Sequence, residues 1–298
     1  MKNRRIIAML TLSSVALIWG TSFVAQILGM EYIGPFTFCA VRYCIATLFI
    51  IPFAVIIDKE RAGAYPDDGT FISDWRSCAG PGAVCGAVLF TANALQQSGL
   101  LFTSAGKAAF ITTMYIVIVP LFGILSKKTP PKPTLLAVAA SSVGLYLLSI
   151  NENFTIEAGD ALILAATFFW ALHIIVCGHF AKKYDTLKLS AIQFTAVAFF
   201  AAVAMFTFEQ PRWSEIIASW KPLAYAGIFG TCVAYTLQMM AQRHVPPVPT
   251  CIILSSEALF AALSGFLFLG ESLSAREMTG CAILLASTLT AQIQEAKS

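Results

Sequence analysis

Charged side chains are scarce in this sequence, and their scarcity excludes a water-soluble fold. Only 12% of the 298 residues are Asp, Glu, Lys or Arg, whereas 58% are hydrophobic. Soluble domains carry about 25% charged and about 45–50% apolar residues. The mean hydropathy of +0.77 therefore indicates that lipid covers part of the folded surface.

Motifs for binding metal, nucleotide or nucleic acid are also missing. The eight cysteines lie in apolar stretches without the CxxC or Cys/His spacing of a zinc site, so we interpret them as small apolar residues. The net charge of +3 comes from short, separate basic clusters, whereas a nucleic-acid groove needs one concentrated basic face. Gly106–Lys107 lacks the spacing of a phosphate-binding loop. We expect no metal ion and no cofactor.

Long hydrophobic runs are abundant instead. About twenty apolar residues in a helix cross the hydrocarbon core of a bilayer, and ten such runs are bounded by charges, proline or glycine. The first run is too long for the apolar core of a signal peptide, so we interpret it as a span. The predicted helices are Ile6–Leu28, Pro35–Ile57, Cys78–Gly99, Ser104–Leu125, Pro133–Ile150, Gly159–Ala181, Leu187–Phe208, Pro222–Gln242, Val248–Leu269 and Ala275–Ile293. The longest predicted loop is Asp58–Arg76.

The basic residues predict the orientation of these helices. With the N-terminus inside the cell, fourteen of the 19 Lys and Arg residues fall in cytoplasmic segments and three in external loops. Only Arg42 and Lys107 remain inside spans. Because cytoplasmic loops carry an excess of Lys and Arg, we predict an all-α membrane protein with ten transmembrane helices and both termini in the cytoplasm.

The two halves of the chain resemble each other. A shift of 151 residues aligns Trp19 with Trp170, and a shift of 142 aligns Gln96 with Gln238. Further aligned pairs are Val41/Ile192, Arg42/Gln193, Tyr115/Glu257 and Ala137/Gly280. Since five spans make up each half, the second copy must be inverted. We therefore predict two inverted five-helix repeats, 1–150 and 151–298, an arrangement typical of secondary transporters with a midplane site between the repeats.

Several short motifs carry a family resemblance. They are Ala16–Phe23 in the first helix, Arg42–Tyr43 in the second, Thr103–Phe110, Tyr115–Leu121 and Leu269–Glu271. In these stretches the chain resembles the EamA-type family of the drug/metabolite transporter (DMT) superfamily. The resemblance implies a ten-helix fold with internal termini, a central cavity and alternating access. It leaves the solute open, because the family includes exporters of amino acids and of other metabolites.

Two charges inside predicted spans are the most informative residues. A charge near the bilayer centre costs about 2.5–3.5 kcal/mol on insertion scales, so it usually faces a cavity or a partner. Arg42 lies seven residues into the second helix, and Glu257 lies nine residues into the ninth. They could bind a zwitterionic or anionic substrate, and Glu257 could carry a coupling proton. The alternative is a structural ion pair that joins the two helices.

Polar and aromatic residues recur along single faces of several predicted helices. Converging faces of this kind would form a cavity for a small amphipathic solute, although polar residues also join helices through hydrogen bonds. His173 could move a proton or simply pack. The residues predicted to line a substrate pathway are Trp19, Arg42, Asn93, Gln97, Tyr115, Trp170, His173, Tyr235, Gln238 and Glu257. Ser22, Gln26 and Thr112 lie on the same polar faces.

The expected function is secondary transport of small metabolites, amino acids or related amphipathic solutes, across the inner (plasma) membrane. The family resemblance favours export by alternating access. The expected partners are a small-molecule substrate and the lipid bilayer, without nucleic acid; proton coupling stays open, as does the choice between monomer and homodimer. An intramembrane enzyme is the first alternative, but the spans hold no nucleophile motif and no paired acids. A non-transporting scaffold or receptor is the second. Gly82 and Gly86 form a GxxxG motif that predicts close helix packing.

Overall fold

The computed structural model describes residues 2–60, 73–102, 105–125, 127, 130–149, 158–269 and 274–297. Within these ranges the chain is helical almost throughout. The elements are α1 (Lys2–Met30), α2 (Pro35–Glu60), α3 (Trp75–Gly99), α4 (Ala105–Thr113), α5 (Tyr115–Leu125), α6 (Lys132–Ser149), α7 (Ala158–Phe180), α8 (Thr186–Phe208), α9 (Trp213–Ala218), α10 (Trp220–Tyr225), a π-helical segment (Ala226–Val233), α11 (Ala234–Gln242), α12 (Pro247–Leu254), α13 (Glu257–Leu269) and α14 (Ala275–Lys297). Thr103, Ser104, Gly270 and Glu271 of the family-like motifs lie outside the described residues.

Eight helical stretches are long and apolar enough to cross a membrane, counted over the residues that the structure describes. They are Asn3–Met30, Pro35–Asp58, Trp75–Gly99, Ala108–Leu125, Ala158–Phe180, Thr186–Phe208, Trp220–Gln242 and Pro247–Ser264. Lys132–Leu148 is apolar but shorter, and α14 is long but carries charges at both ends. The ends of the predicted loop Asp58–Arg76 are helical, because α2 continues to Glu60 and α3 begins at Trp75; residues 61–72 of that loop lie outside the described residues.

Two predicted spans are each interrupted within their length. The fourth span divides into α4 and α5 at Met114, and the ninth divides into α12 and α13 at Ser255–Ser256. At each break a hydroxyl side chain bonds to the carbonyl three residues earlier: Thr113 Oγ1 donates to Phe110 O at 2.9 Å, and Ser255 Oγ to Ile252 O at 2.8 Å. Such bonds bend helices. Thr113 and Ser255 are 142 residues apart, which is the shift between the repeats.

The eighth predicted span is also irregular. It begins as α10, passes through the wider π-helical segment and continues as α11. Thr231 Oγ1 donates to Ala226 O, five residues earlier, at 2.8 Å. Two glycines let neighbouring helices approach, since a Cβ at Gly227 would lie 2.9 Å from Ile45 Cβ and one at Gly230 would lie 2.9 Å from Ser22 Oγ. π-helical segments inserted into α-helices are frequent at functional sites.

Antiparallel α2 and α8 are joined at both ends. At one end Glu209 accepts hydrogen bonds from Phe36 N at 2.8 Å and Thr37 N at 2.7 Å. At the other end Lys188 Nζ lies 2.6 Å from Asp58 Oδ1. Thr37 and Lys188 are 151 residues apart, and so are Asp58 and Glu209. The two contacts therefore occupy corresponding positions of the two halves.

Small residues bring other helices together. A Cβ at Gly82 would lie 2.6 Å from Ile192 Cγ2, and one at Gly86 would lie 2.6 Å from Ala196 Cβ, so the GxxxG motif packs α3 against α8. The prediction of close packing within the fold is confirmed. On α6 and α14, a Cβ at Gly280 would meet Gly144 O at 2.7 Å. These close contacts fix the helices that surround a central space.

Candidate functional site

A central cavity lies between helices from both halves of the chain. The space within it that a water-sized sphere can enter is about 50 Å³, well below the about 300–1,000 Å³ of typical small-molecule sites, so the cavity is narrow in this conformation. Its lining consists of Trp19, Ser22, Phe23, Gln26, Arg42, Asn93, Gln96, Thr112, Tyr115, Trp170, Ile174, Ala226, Gly230, Tyr235, Gln238, Leu254 and Glu257. Both helix breaks border this cavity, through Tyr115 at one and Leu254 and Glu257 at the other.

The cavity gathers eight of the ten residues predicted to line a pathway. They are Trp19, Arg42, Asn93, Tyr115, Trp170, Tyr235, Gln238 and Glu257. Gln97 and His173 are the exceptions, and both lie one layer behind the lining. Gln97 Nε2 donates to Gln26 Oε1, and His173 Nε2 lies 3.2 Å from Gln193 Oε1 and 3.2 Å from Cys177 Sγ. The packing interpretation of His173 therefore fits the structure better than the proton-transfer interpretation.

Arg42 is buried among neutral groups. Its Nη1 donates to Gln26 Oε1 at 3.4 Å, and its Nη2 donates to Asn93 Oδ1. The guanidinium carbon lies 5.5 Å from the ring centre of Phe38 and 5.2 Å from that of Tyr43. In the part of the chain that the structure describes, no carboxylate forms a salt bridge with this cation. The alternative of a structural ion pair between the second and ninth helices is therefore wrong.

Three aromatic rings form one wall of the cavity. The ring centres of Trp19 and Tyr235 are 4.9 Å apart, and those of Trp170 and Tyr235 are 6.2 Å apart with the planes nearly parallel. Each indole is held by a hydrogen bond: Trp170 Nε1 donates to Gln96 Oε1 at 2.8 Å, and Trp19 Nε1 donates to Gly230 O at 2.9 Å. Aromatic faces stabilise apolar groups and cations.

Glu257 is the acidic residue of the lining. It is buried and begins α13, directly after the break at Ser255–Ser256. Tyr115 Oη donates to Glu257 Oε1 at 3.2 Å. Because Tyr115 is the first residue of α5, this hydrogen bond joins the two broken helices at their breaks. The start of a helix is a favourable place for a carboxylate, since the unpaired backbone N–H groups carry partial positive charge.

Comparison with known proteins identifies the family to which this chain belongs. The EamA-like transporter family model matches the chain twice, over residues 6–150 and 157–291. The chain belongs to the EamA-like transporter family. This is a multi-pass membrane protein of the DMT superfamily, as the sequence motifs indicated, and its family implies a small-molecule substrate and a lipid bilayer around the helices.

The relatives of this transporter are bacterial and archaeal. An uncharacterized transporter of Archaeoglobus fulgidus is 29% identical over 98% of this chain and 87% of its own length. The uncharacterized transporter YwfM of Bacillus subtilis is 26% identical over 92% of this chain and 90% of its own. The threonine/homoserine exporter RhtA of Salmonella typhimurium is 28% identical over 50% of this chain and 52% of its own. One solved crystal structure has the same fold, with a TM-score of 0.77 at 16% identity, over 97% of this chain and 98% of that one.

Some polar atoms around the cavity of this EamA-like transporter have no partner. Arg42 Nε, Thr112 Oγ1 and Gln238 Oε1 are buried without a hydrogen bond, and all three residues line the cavity. Buried polar groups in folded proteins are nearly always paired. These atoms are therefore available to a bound molecule. Arg42 Nε can donate a hydrogen bond, Gln238 Oε1 can accept one, and Thr112 Oγ1 can do either.

A second, wider cavity opens towards one end of the bundle. Its volume is about 940 Å³, and prolines form much of its wall (Pro130, Pro131, Pro133, Pro246, Pro247 and Pro249). Arg5 and Glu295 lie at its edge, with Arg5 Nη1 3.4 Å from Glu295 Oε1. On α7 the neighbouring residues Ile174 and Ile175 line the central and the wider cavity respectively. Both residues belong to a packed apolar cluster that also contains Leu254, so apolar side chains lie between the two cavities.

Gln96 is the polar lining residue that the sequence prediction missed. The prediction selected Asn93 and Gln97 on this helix, which are four residues apart and share a face. The structure places Asn93 in the cavity but Gln97 behind it, and it adds Gln96, which accepts the hydrogen bond from Trp170. A signal was present in the sequence, because Gln96 aligns with the predicted pathway residue Gln238 at the shift of 142. The apolar lining residues, such as Ile174 and Leu254, carry no sequence signal that separates them from residues facing lipid.

Proposed function

We propose that this protein is a secondary transporter that exports small amphipathic metabolites, such as amino acids, across the plasma membrane. Ten spans form two inverted five-helix repeats, 1–150 and 151–298, and both termini lie in the cytoplasm. Solute crosses by alternating access to the central cavity. Export of amino acids is favoured by the similarity to RhtA, named a threonine/homoserine exporter, and a plasma-membrane location by the bacterial and archaeal relatives.

The inverted repeats are supported by contacts that recur at the repeat shift. Thr37–Glu209 and Asp58–Lys188 are one such pair of contacts, at opposite ends of α2 and α8. The helix breaks after Thr113 and Ser255 are another. The two matches of the same family model, one to each half, agree with this division. Recurrent features at fixed separations are expected when a two-fold axis in the membrane plane relates two repeats.

One observation carries the proposal: a single buried cavity contains one charged residue from each half, and the two do not pair. Arg42 comes from the first half and Glu257 from the second, and both line the cavity. Unpaired charges in a membrane are costly, so their retention indicates a ligand with complementary groups. A zwitterionic solute has an anionic group for Arg42 and a cationic group for Glu257, and the aromatic wall can cover its apolar part.

The broken helices supply hinges for alternating access. Discontinuous helices at the repeat interface are typical of transporters that rock about a fixed site. Here the hinge residues are also the site residues, because Tyr115 and Glu257 each begin the half-helix after a break. The wider cavity, which lies on the cytoplasmic side in the proposed orientation, would join the central one if the wall at Ile174 and Leu254 opened.

Glu257 is the proposed carrier of a coupling proton. Its described hydrogen bond comes from a neutral hydroxyl, Tyr115 Oη, so no cation holds the carboxylate in its charged form. A carboxyl in this position can take a proton without breaking an ion pair. Arg42, Tyr115 and Tyr235 are the other titratable groups of the same lining, and the partners of Arg42 are amides and rings.

Transport by purified protein in lipid vesicles tests the proposal. Vesicles that contain the protein should take up labelled L-threonine or L-homoserine in a saturable manner, and empty vesicles should not. A panel of other amino acids, and growth resistance of an overexpressing strain to toxic amino-acid analogues, extends the search for the solute. Folded protein that moves no member of the panel would contradict the proposal. Reporter fusions at each terminus check the topology, and reporters on opposite sides would contradict the ten-span arrangement.

A further inference from the structure

The two indole rings of the cavity are held differently, although they occupy corresponding positions. Trp19 and Trp170 are related by the shift of 151, and Gln96 and Gln238 by the shift of 142. In one half, Trp170 Nε1 donates to Gln96 Oε1 at 2.8 Å. A symmetric molecule would pair Trp19 with Gln238 in the same way. The structure does not contain that hydrogen bond.

The π-helical segment accounts for the difference. Trp19 Nε1 donates instead to the backbone carbonyl of Gly230 at 2.9 Å, and Gly230 lies in the π-helical segment Ala226–Val233. The counterpart of this segment in the first half falls within α3, which is a continuous α-helix. The wider turn presents a main-chain acceptor to Trp19 and leaves the amide of Gln238 without its symmetric partner.

Gln238 is therefore a buried amide that faces the cavity with an unused acceptor. Its side chain is only 2% exposed, it lines the cavity, and its Oε1 has no hydrogen-bond partner. Thr112 Oγ1, on α4, is unpartnered in the same lining. An unpaired amide oxygen in a membrane interior is unfavourable in the empty protein, so a bound molecule with a hydrogen-bond donor would relieve the cost.

We propose that Gln238 recognises a hydrogen-bond donor of the substrate, an ammonium or hydroxyl group. The inference rests on the proposed transport function and assigns a specificity role within the same site. Arg42, whose Nε is also unpartnered, donates to the acceptor end of the substrate. Gln96, already bonded to Trp170, has a positioning role for the aromatic wall. The hydrogen-bond donors and acceptors of the site are thus arranged asymmetrically, although corresponding residues of the two halves form its framework.

A comparison of two glutamine variants tests the assignment without any substrate. Gln238→Met removes an amide whose oxygen is unpartnered, so the melting temperature of purified protein in detergent should stay the same or rise. Gln96→Met removes the acceptor of Trp170 and leaves its N–H unpaired, so the melting temperature should fall. Equal losses in both variants would show that Gln238 is a structural residue and would overturn the inference.

Transport of two related probes tests the recognition itself. L-threonine carries an ammonium group that 3-hydroxybutanoate lacks. Wild-type vesicles should prefer L-threonine, and Gln238→Met should raise the KM for L-threonine about tenfold and weaken the preference, part of which Glu257 retains. A Thr207→Val variant, altered on the exposed face of α8, should transport as wild type does.

The possible failures of the two ideas differ. A Gln238→Met variant that retains the wild-type KM and preference would overturn the role of Gln238 and leave the transport function intact. Absence of saturable uptake by wild-type vesicles would contradict the proposed function for these probes. In that case the melting temperatures of the Gln238→Met and Gln96→Met variants still decide whether the amide of Gln238 is unpaired in the folded protein.

Discussion

Replacing Arg42 by methionine should separate binding from folding. The guanidinium is buried. It donates hydrogen bonds to the side-chain amide oxygens of Gln26 and Asn93. If it binds the carboxylate of a solute, the lost charge-assisted hydrogen bond is worth about 1.5–3 kcal/mol. That loss corresponds to a rise in KM of about 10- to 150-fold, because about 1.4 kcal/mol changes an equilibrium constant tenfold.

The stability of the same variant should change little, because two effects oppose each other. Removal of an unpaired buried charge stabilises the fold, whereas Asn93 Oδ1 loses its donor at a cost of about 1–3 kcal/mol. Gln26 Oε1 keeps its hydrogen bond from Gln97 Nε2. The assays are L-threonine uptake by vesicles and thermal unfolding in detergent. Folded Arg42→Met protein with an unchanged KM would refute the reasoning, and Arg42→Lys should retain part of the binding.

Three further variants test the coupling group and the framework. Glu257→Gln keeps an acceptor for Tyr115 Oη but cannot release a proton. Its uptake should therefore be independent of pH between about pH 5.5 and about pH 8, whereas wild-type uptake should change over this range. Matching pH profiles of the two proteins would exclude proton coupling through Glu257. Glu209→Ala removes the acceptor of three hydrogen bonds from Phe36 and Thr37 and should cost about 1–2 kcal/mol. Its control is Glu215→Ala, at an exposed pair 3.6 Å from Arg212, where unfolding should not shift measurably; equal shifts would contradict the role of Glu209. Gly280→Ala places a Cβ 2.7 Å from Gly144 O and Leu148 N, which are backbone atoms, and should cost about 1–3 kcal/mol. Gly80→Ala meets nothing within 4 Å and should be neutral or stabilising in a helix; a neutral Gly280→Ala would refute the close packing of α6 and α14.

The order of the helices was predictable because apolar runs of about twenty residues usually form membrane-spanning helices. The breaks inside the fourth and ninth spans were not predicted, since hydropathy averages over about twenty residues and passes over an interruption of one or two. The residues responsible, Thr113 and Ser255, are unremarkable in a sequence. Their effect depends on whether the hydroxyl turns back to a carbonyl of its own helix, which only the folded chain decides.

Four residues of the site were predictable from one of two signals, a charge within an apolar run or an alignment between the repeats. Arg42 and Glu257 are charges within apolar runs, and Trp19 and Trp170 are aligned by the repeat, and all four line the cavity. His173 had only its residue type in its favour, and it lies behind the lining, against Gln193. Whether Arg42 and Glu257 paired with each other could not be predicted, because the rotation of two helices about their axes is set by packing with the others.

Repetition of the framework and difference in the lining have distinct consequences for transport. In the proposed alternating-access cycle, contacts that recur at the repeat shift would let the bundle open towards either face through similar movements. The charges do not recur, since the counterpart of Arg42 is Gln193, which contacts His173, and the counterpart of Glu257 is Tyr115. A solute with a positive and a negative end would therefore meet the same arrangement of charge in both open states. It would keep one orientation throughout the cycle, and its release would depend on weakening a contact at one end, which is the step we assign to the proposed protonation of Glu257.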